Sequence, residues 1–378
     1  MKICIINNLY KPYSRGGAER VIELNKKGLI ALGHKVSIIT TRPIFSKPNI
    51  KNKKQIWYLP STYYFWNKLP KVIRPVFHIF NIFNIFQSNK ILKILKTNKI
   101  NLVISNNLLG LNMLFLLKLK KLSIKHIHIL HDIQLLHPSG LMMKNKEQII
   151  DSTTAKIYQK ITKLFFSSAY KVFSPSLWLL NLHKNKHFFS KMQTQVLLNP
   201  IQSNFLEIKN RKIEKDFTLL FVGLLSEAKG IFTLLKAFNS ISNNKFRLKL
   251  IGQNLIKEKL YFYLAKNNNI EYKGKLNHKE VLDNMKKADA LIMPSLCYEN
   301  SPTVIYEAIK IGLGVVASDI GGTRELKQND NISLFKTGDS ADLSRKIIKM
   351  QQNYSKNRHK KNNNFLPAPR EYAKKLLN

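Results

Sequence analysis

With 378 residues, 44% of them hydrophobic, the chain is long enough for two domains with cores of their own and too apolar to be disordered. Its two cysteines, Cys4 and Cys297, exclude a disulfide framework and a zinc-ligand spacing and suit a reducing cytoplasm. The net charge of +41 is unevenly spread: residues 1–205 carry 32 Lys+Arg against 5 Asp+Glu, and the remainder 31 against 17. AT-rich codon usage would explain the lysines but not the scarcity of acids. An N-terminal half this basic suits an anionic partner, such as lipid headgroups, a phosphorylated glycolipid or nucleic acid.

In chain order, Lys2–Asn7 is an apolar run, too short for a signal-peptide core, and is predicted to be a strand buried on both faces. A loop with Gly16-Gly17 follows, then an amphipathic helix over Ala18–Leu32 and a strand over Val36–Thr40. This is a βαβ unit with a glycine turn ahead of its helix, but not G-x-G-x-x-G, so no dinucleotide fingerprint is present. Residues 43–75 read as irregular. In VFHIFNIFNIF, Phe77, Phe80, Phe83 and Phe86 recur every third residue, behind Lys68, Lys71 and Arg74. The stretch is either an interfacial helix or an ordinary helix covering the first sheet, and core packing is the commoner case. No window holds the ~20 apolar residues of a spanning helix. Localisation is expected to be cytoplasmic, with the inner face of the membrane as a candidate attachment.

Leu102–Ser105 is a strand ending in Asn106-Asn107, Leu108–Leu119 is helical, and His126–Leu130 is a strand running into His131-Asp132. Polar residues just past the carboxyl end of a parallel strand stand where such folds bind ligands. The scattered His126, His128 and His137 lack a partnering carboxylate, so no metal site is assigned. Asp151–Ser168 is a helix, Val172–Ser174 a strand, and Asn199-Pro200 opens a linker. The second half starts with the strand Thr218–Val222 and the turn GLLSEAKG, with Lys229 at the start of the helix Ile231–Phe238. A glycine turn with a lysine at a helix N-terminus suits a phosphate. Strands over Arg247–Ile251 and Ile270–Lys273, and helices over His278–Met285, Asp339–Gln351 and Pro369–Leu377, complete the pattern. The domains are expected at 1–200 and 211–352, with a linker at 201–210 and a connector and short helix at 353–378.

The stretch DALIMPSLCYENSPTVIYEAIKIGLGVVASDIGGTREL, Asp289–Leu326, reads strand, polar turn, helix, strand and second turn. Pro302 can occupy the first helical position, and Gly312 stops the helix. Two carboxylates, Glu299 and Glu307, frame the helix start. Free N–H groups there suit a phosphate, and the carboxylates can accept hydrogen bonds from hydroxyls. A phosphate flanked by hydroxyls describes a nucleotide sugar.

This stretch resembles the donor-binding signature of glycosyltransferase family 4, retaining enzymes of GT-B fold. The E-x7-E pair is Glu299 and Glu307, followed by Ala308, Gly312 and Ser318-Asp319-Ile320-Gly321-Gly322. GGAERV, the His131-Asp132 dipeptide, the Asn199-Pro200 crossover and Lys229-Gly230 are similar to the family's other motifs. Where the family has an arginine in G-R-L-x-x-x-K-G, this chain has Leu224, which removes one expected cation.

The resemblance implies an α/β GT-B fold, two doubly wound Rossmann-like domains facing across a cleft. It implies a retaining glycosyltransferase moving a sugar from a nucleotide-diphospho-sugar to a glycan or lipid-linked acceptor, in cell-envelope polysaccharide or lipopolysaccharide synthesis. Gly16, Gly17, Lys229, Asn300, Ser301, Pro302 and Thr303 would hold the diphosphate and Glu307 the ribose. Glu299 would hold sugar hydroxyls, and His131 would stand near the anomeric carbon, with Asp132 orienting it or capping the next segment. Lys275 and Leu276 would border the base. No cofactor or metal is implied, only a UDP- or GDP-linked co-substrate. The basic first domain would meet the acceptor and an anionic membrane surface, rather than nucleic acid. The competing readings are a non-catalytic basic binding protein on the same scaffold, favoured by Leu224, and a sugar-nucleotide epimerase, whose carboxylates are not recognisable here.

Overall fold

Two all-parallel sheets carry the chain. The structure is a computed structural model that describes residues 1–14, 16–46, 55–68, 70, 74–202, 216–241, 245–354 and 366–378. One unit comprises Met1–Leu141, Glu147–Gln202 and Pro367–Asn378, the other Met142–Lys146 and Ser203–Leu366. Most of the expected linker at 201–210 and the run 355–364 lie outside the described residues.

The first sheet contains β1 (Lys2–Ile6), β2 (Lys35–Pro43), β3 (Ile56–Ser61), β4 (Leu102–Ser105), β5 (Lys125–Ile129), β6 (Lys171–Ser174) and β7 (Gln193–Val196). Their spatial order is β3-β2-β1-β4-β5-β6-β7. The order turns back at β1, whose neighbours β2 and β4 are reached by crossovers in opposite directions. Ile3, Ile5, Ile104, Ile127 and Ile129 share one buried cluster with Ile22 and Leu29 of the helix Gly17–Ala31 and with Tyr372 and Leu376 of the C-terminal helix Pro369–Leu377. The two helices pack so closely that a Cβ on Gly28 would stand 1.9 Å from the Pro369 carbonyl oxygen. The last helix therefore belongs to the first unit.

The second sheet contains β8 (Phe217–Val222), β9 (Phe246–Ile251), β10 (Ile270–Tyr272), β11 (Ala290–Met293), β12 (Gly314–Ser318) and β13 (Ile332–Phe335), in the order β10-β9-β8-β11-β12-β13. Here the order turns back between β8 and β11. Leu219, Phe221, Leu248, Leu250 and Ile292 pack beneath Leu234 and Phe238 of the helix Ile231–Ser240 and Leu343 and Ile347 of the helix Ser340–Gln352. In each sheet the strand order reverses at this pivot, and doubly wound folds bind ligands beyond the carboxyl ends of the strands at such a point.

Several expectations are corrected. Residues 43–75 are not wholly irregular: β3 pairs in parallel with β2, and Pro60 is tolerated because β3 is an edge strand. The Phe-rich stretch is two helices, Arg74–Ile82 and Ile85–Thr97, because the Asn84 side chain caps the second by accepting from Gln87 N at 2.9 Å. Core packing of that stretch is wrong for Phe80 and Phe86, which are 75% and 90% exposed. A repeat of three advances about −60° per step on a 3.6-residue helix, so the four rings could never share one face. The side chain of Phe77, like Lys71, lies outside what is described. The helix expected from Leu108 begins only at Leu114, because Gly110 takes φ +81 against Ser61 and Tyr63. Pro302 precedes its helix, Thr303–Lys310, rather than opening it.

Candidate functional site

In the second unit, the loops after β8 and β11 interlock at the pivot. Leu296 N and Cys297 N both donate to the Ala228 carbonyl, at 2.9 and 3.0 Å. Gly230 takes φ +69 in a spot where a Cβ would stand 1.7 Å from the Pro294 carbonyl oxygen. Only glycine lets the turn close this far, and the closure aims Lys229 at the second loop. Lys229 Nζ meets Glu299 Oε1 at 2.5 Å. The same oxygen accepts from Ser295 Oγ at 2.8 Å and contacts Cys297 Sγ at 3.7 Å.

Burial works against the charge on both partners, and their mutual attraction overrides it. The Lys229 pKa rises to about 12, and the Glu299 carboxyl is held below its usual range by Lys229 and the donors around it. Burial beside Glu299 pushes the Cys297 thiol up to about 12, so it stays protonated.

Glu299 is fixed from a third side. Gly321 takes φ +57 against the Glu299 backbone, where a Cβ would approach the carbonyl oxygen to 2.5 Å, and Gly322 N donates to that oxygen at 2.8 Å. The Gly321-Gly322 turn thus holds the loop carrying Glu299. The helix Thr303–Lys310 follows; its first N–H groups, at Thr303 and Val304, have no acceptor within the helix by geometry. Its far end closes with Gly312 N donating to Ile309 O and Leu313 N to Ala308 O, with Gly312 at φ +79.

Glu307 lies one turn into this helix, is buried, and meets His278 Nε2 at 2.7 Å. His278 opens the helix His278–Lys287, which the reciprocal Asn277–Glu280 cap starts. Lys275, exposed, and Leu276, half-buried, lie between Gly274 (φ +73) and that cap. Asn300 is buried, and Ser301 Oγ donates to Tyr306 OH at 2.7 Å. The second unit thus gathers Lys229, Glu299, Asn300, Ser301, Pro302, Thr303 and Glu307 around one helix start. Leu224, 40% exposed, sits in the loop after β8.

The first unit holds a separate polar cluster at its own pivot. Asn107 N donates to Asn7 Oδ1 at 3.0 Å and Asn8 N to the Asn107 carbonyl at 2.7 Å, tying together the loops after β1 and β4. His131 Nε2 meets Asn106 Oδ1 at 2.8 Å, and burial lowers its pKa to about 4, so the ring is neutral near pH 7. Asp132 caps the next turn through Gln134 N at 2.7 Å and binds Asn107 Nδ2 at 3.0 Å, which favours the capping alternative. Burial raises its carboxyl to about 6. Gly16 precedes the helix Gly17–Ala31, and its N–H donates to Glu19 Oε2 at 2.7 Å. His126 and His128 share the Ser105 hydroxyl, at 2.7 and 2.9 Å. Among the described residues, no group of three His, Cys, Asp or Glu could hold a metal ion.

Sequence reasoning missed Ser295, His278 and Asn106. The helix start at His278 was read from the sequence, but its contact with Glu307 was not. Nothing local in the sequence pairs Ser295 or Asn106 with its partner.

A family model described as Glycosyltransferase Family 4 matches residues 15–205, and one described as Glycosyl transferases group 1 matches residues 203–365. An uncharacterized 42.6 kDa protein in the cps region of Klebsiella pneumoniae is 26% identical over 337 residues, spanning 87% of this chain and 88% of that one. Among solved structures, Anabaena HepE in complex with UDP superposes with a TM-score of 0.70 at 16% identity, over 100% of this chain and 94% of that chain. The lipopolysaccharide outer core galactosyltransferase WaaB, in its apo form, gives 0.66 at 17% identity, over 100% and 99%. At these identities the structural likeness speaks for the fold.

Proposed function

The chain belongs to glycosyltransferase family 4, with the two-domain α/β GT-B fold, and on that premise we propose that it transfers a hexosyl group, with retention, from a UDP-linked donor to a glycan or lipid-linked acceptor of cell-envelope polysaccharide synthesis. The observation that carries this reading is the Lys229–Glu299 pair at the β8/β11 pivot, one turn ahead of a helix that buries Glu307. The UDP bound to a protein of the same fold, and the cps and lipopolysaccharide contexts of two similar proteins, support the choice of donor and acceptor class.

In this proposal Lys229 and the N–H groups of Thr303 and Val304 stabilise negative charge on the departing diphosphate. The anomeric C–O bond to the diphosphate breaks, the acceptor oxygen bonds to the same face of that carbon, and its proton passes to the leaving phosphate oxygen. Glu299 holds sugar hydroxyls and Glu307 the ribose hydroxyls. Lys275 and Leu276 border the base. The charge supplied by Lys229 and the helix start stands in place of a metal ion.

A thermal-shift screen of UDP-, GDP- and ADP-sugars on the whole chain tests this. Stabilisation by one UDP-sugar, lost in Glu307→Gln, is the expected result. No shift with any nucleotide sugar would overturn it.

A further inference from the structure

The helices that cover the His126 and His128 side of the first sheet present an unusual outer surface. The Phe83 ring meets Phe165 edge-on at 5.7 Å, so the turn at Phe83-Asn84, just ahead of the helix that starts with Ile85 and Phe86, abuts the end of the helix Thr153–Phe166. The short helix Leu114–Leu119 packs against both neighbours. Phe80, Ile85 and Phe86 are largely exposed on the helices Arg74–Ile82 and Ile85–Thr97, and Ile157 and Leu164, seven residues apart on one helical stripe, on the helix Thr153–Phe166. Lys90 and Lys93 are exposed one and two turns after Phe86 on its helix, and Lys156 and Lys160 are exposed beside Ile157 in sequence on the other.

No Asp or Glu occurs between Glu23 and Asp132, and none in Thr153–Phe166. The layer therefore has no carboxylate of its own to neutralise these lysines. Its one histidine, His78, is kept neutral by burial, with its pKa lowered to about 3.

Scattered exposed hydrophobic residues are ordinary. Bulky apolar side chains gathered on an acid-free, lysine-studded layer are not. The core of a protein partner's interface would disfavour lysine. A nucleic acid would use the rings and lysines but has no use for Ile85, Ile157 and Leu164. A bilayer with anionic headgroups uses all three: apolar tips enter the acyl boundary, and lysine stems lie along it with their ammonium groups among the phosphates.

We propose that this helical layer is a docking face for an anionic lipid surface, with Phe80, Ile85 and Phe86 inserting and the lysines holding headgroups. The proposal does not depend on the donor or the reaction.

Co-sedimentation of the whole chain with phosphatidylcholine vesicles, with and without phosphatidylglycerol, tests it. Binding should require the anionic lipid and fall as salt is raised. Phe80→Ser with Phe86→Ser should weaken it about tenfold, since two exposed rings lose their apolar contact. Lys90→Glu with Lys93→Glu and Lys160→Glu should abolish it. These side chains are exposed, so the variants should melt like the parent. Ile348→Ser with Lys349→Glu, exposed in the second unit, should bind vesicles normally.

Equal binding to neutral vesicles would overturn the proposal, as would unchanged binding by either face variant. A lysine variant that loses binding while the Phe variant keeps it, with heparin competing fully, would make the face a polyanion site instead.

Discussion

The Lys229 ammonium lies 2.5 Å from the Glu299 carboxylate at the point where the strand order of the second sheet turns back. Each side chain is the other's main compensation for burial, so a diphosphate must share Lys229 with Glu299. Lys229→Met should therefore cost about 3 kcal/mol of stability by taking away the charged partner of the buried Glu299 carboxylate. Adding Glu299→Gln should restore most of that stability and none of the donor binding. Urea unfolding and donor titration separate the two effects. Full donor affinity in the double variant would remove Lys229 from the site.

Gly321 tests how the loop carrying Glu299 is held. Gly321→Ala puts a Cβ within 2.5 Å of the Glu299 carbonyl oxygen at φ +57. Strain of this kind costs about 1–3 kcal/mol. The easiest relief is to move the loop, which breaks the Gly322–Glu299 hydrogen bond. Donor turnover should fall further than the melting temperature implies. Turnover that simply tracked the folded fraction would make the glycine a folding residue only.

How much of this was legible follows from where the information lies. The strand–turn–helix over Ala290–Lys310, the stop at Gly312 and the E-x7-E pair are local patterns, and sequence spacing carries them. The contact between Lys229 and Glu299 is not local. It needs the parallel order that sets β8 beside β11. His278 was hidden for the same reason, since it reaches Glu307 from the far end of a different crossover. The Phe repeat misled because a period of three resembles a helical stripe yet cannot keep one face, and Asn84 breaks it in two.

Glu307 is predicted to read the ribose. Glu307→Gln keeps the shape but loses the charge, so donor affinity should fall about tenfold, the equivalent of one charge-assisted hydrogen bond. A 2′-deoxyribose donor should lose little further. His278→Gln should weaken the parent's donor binding less, because it alters only the orientation of Glu307, through the 2.7 Å contact. Equal losses with ribose and deoxyribose donors would count against ribose contact.

Acid should unfold this chain through its first unit. Burial lowers His126 to about 3, His131 and His183 to about 4, and His128 well below 6.5. In the unfolded chain these rings titrate near 6.5, so below that pH the unfolded state takes up protons that the folded state refuses. The stability they contribute is complete above about pH 6.5 and is lost as pH falls toward 4, at about 1.4 kcal/mol per pH unit for each fully titrating ring. Asp132 runs the other way. Its carboxyl, raised to about 6, takes a proton in the folded state first and offsets about one ring between pH 6 and 4. The net effect is a steep fall in the urea midpoint between pH 7 and 5. His183→Gln, which can still donate to the Leu179 carbonyl now 2.9 Å from Nδ1, should flatten that fall by one proton's worth. A midpoint unchanged down to pH 5 would mean that these rings are not held neutral in the folded chain.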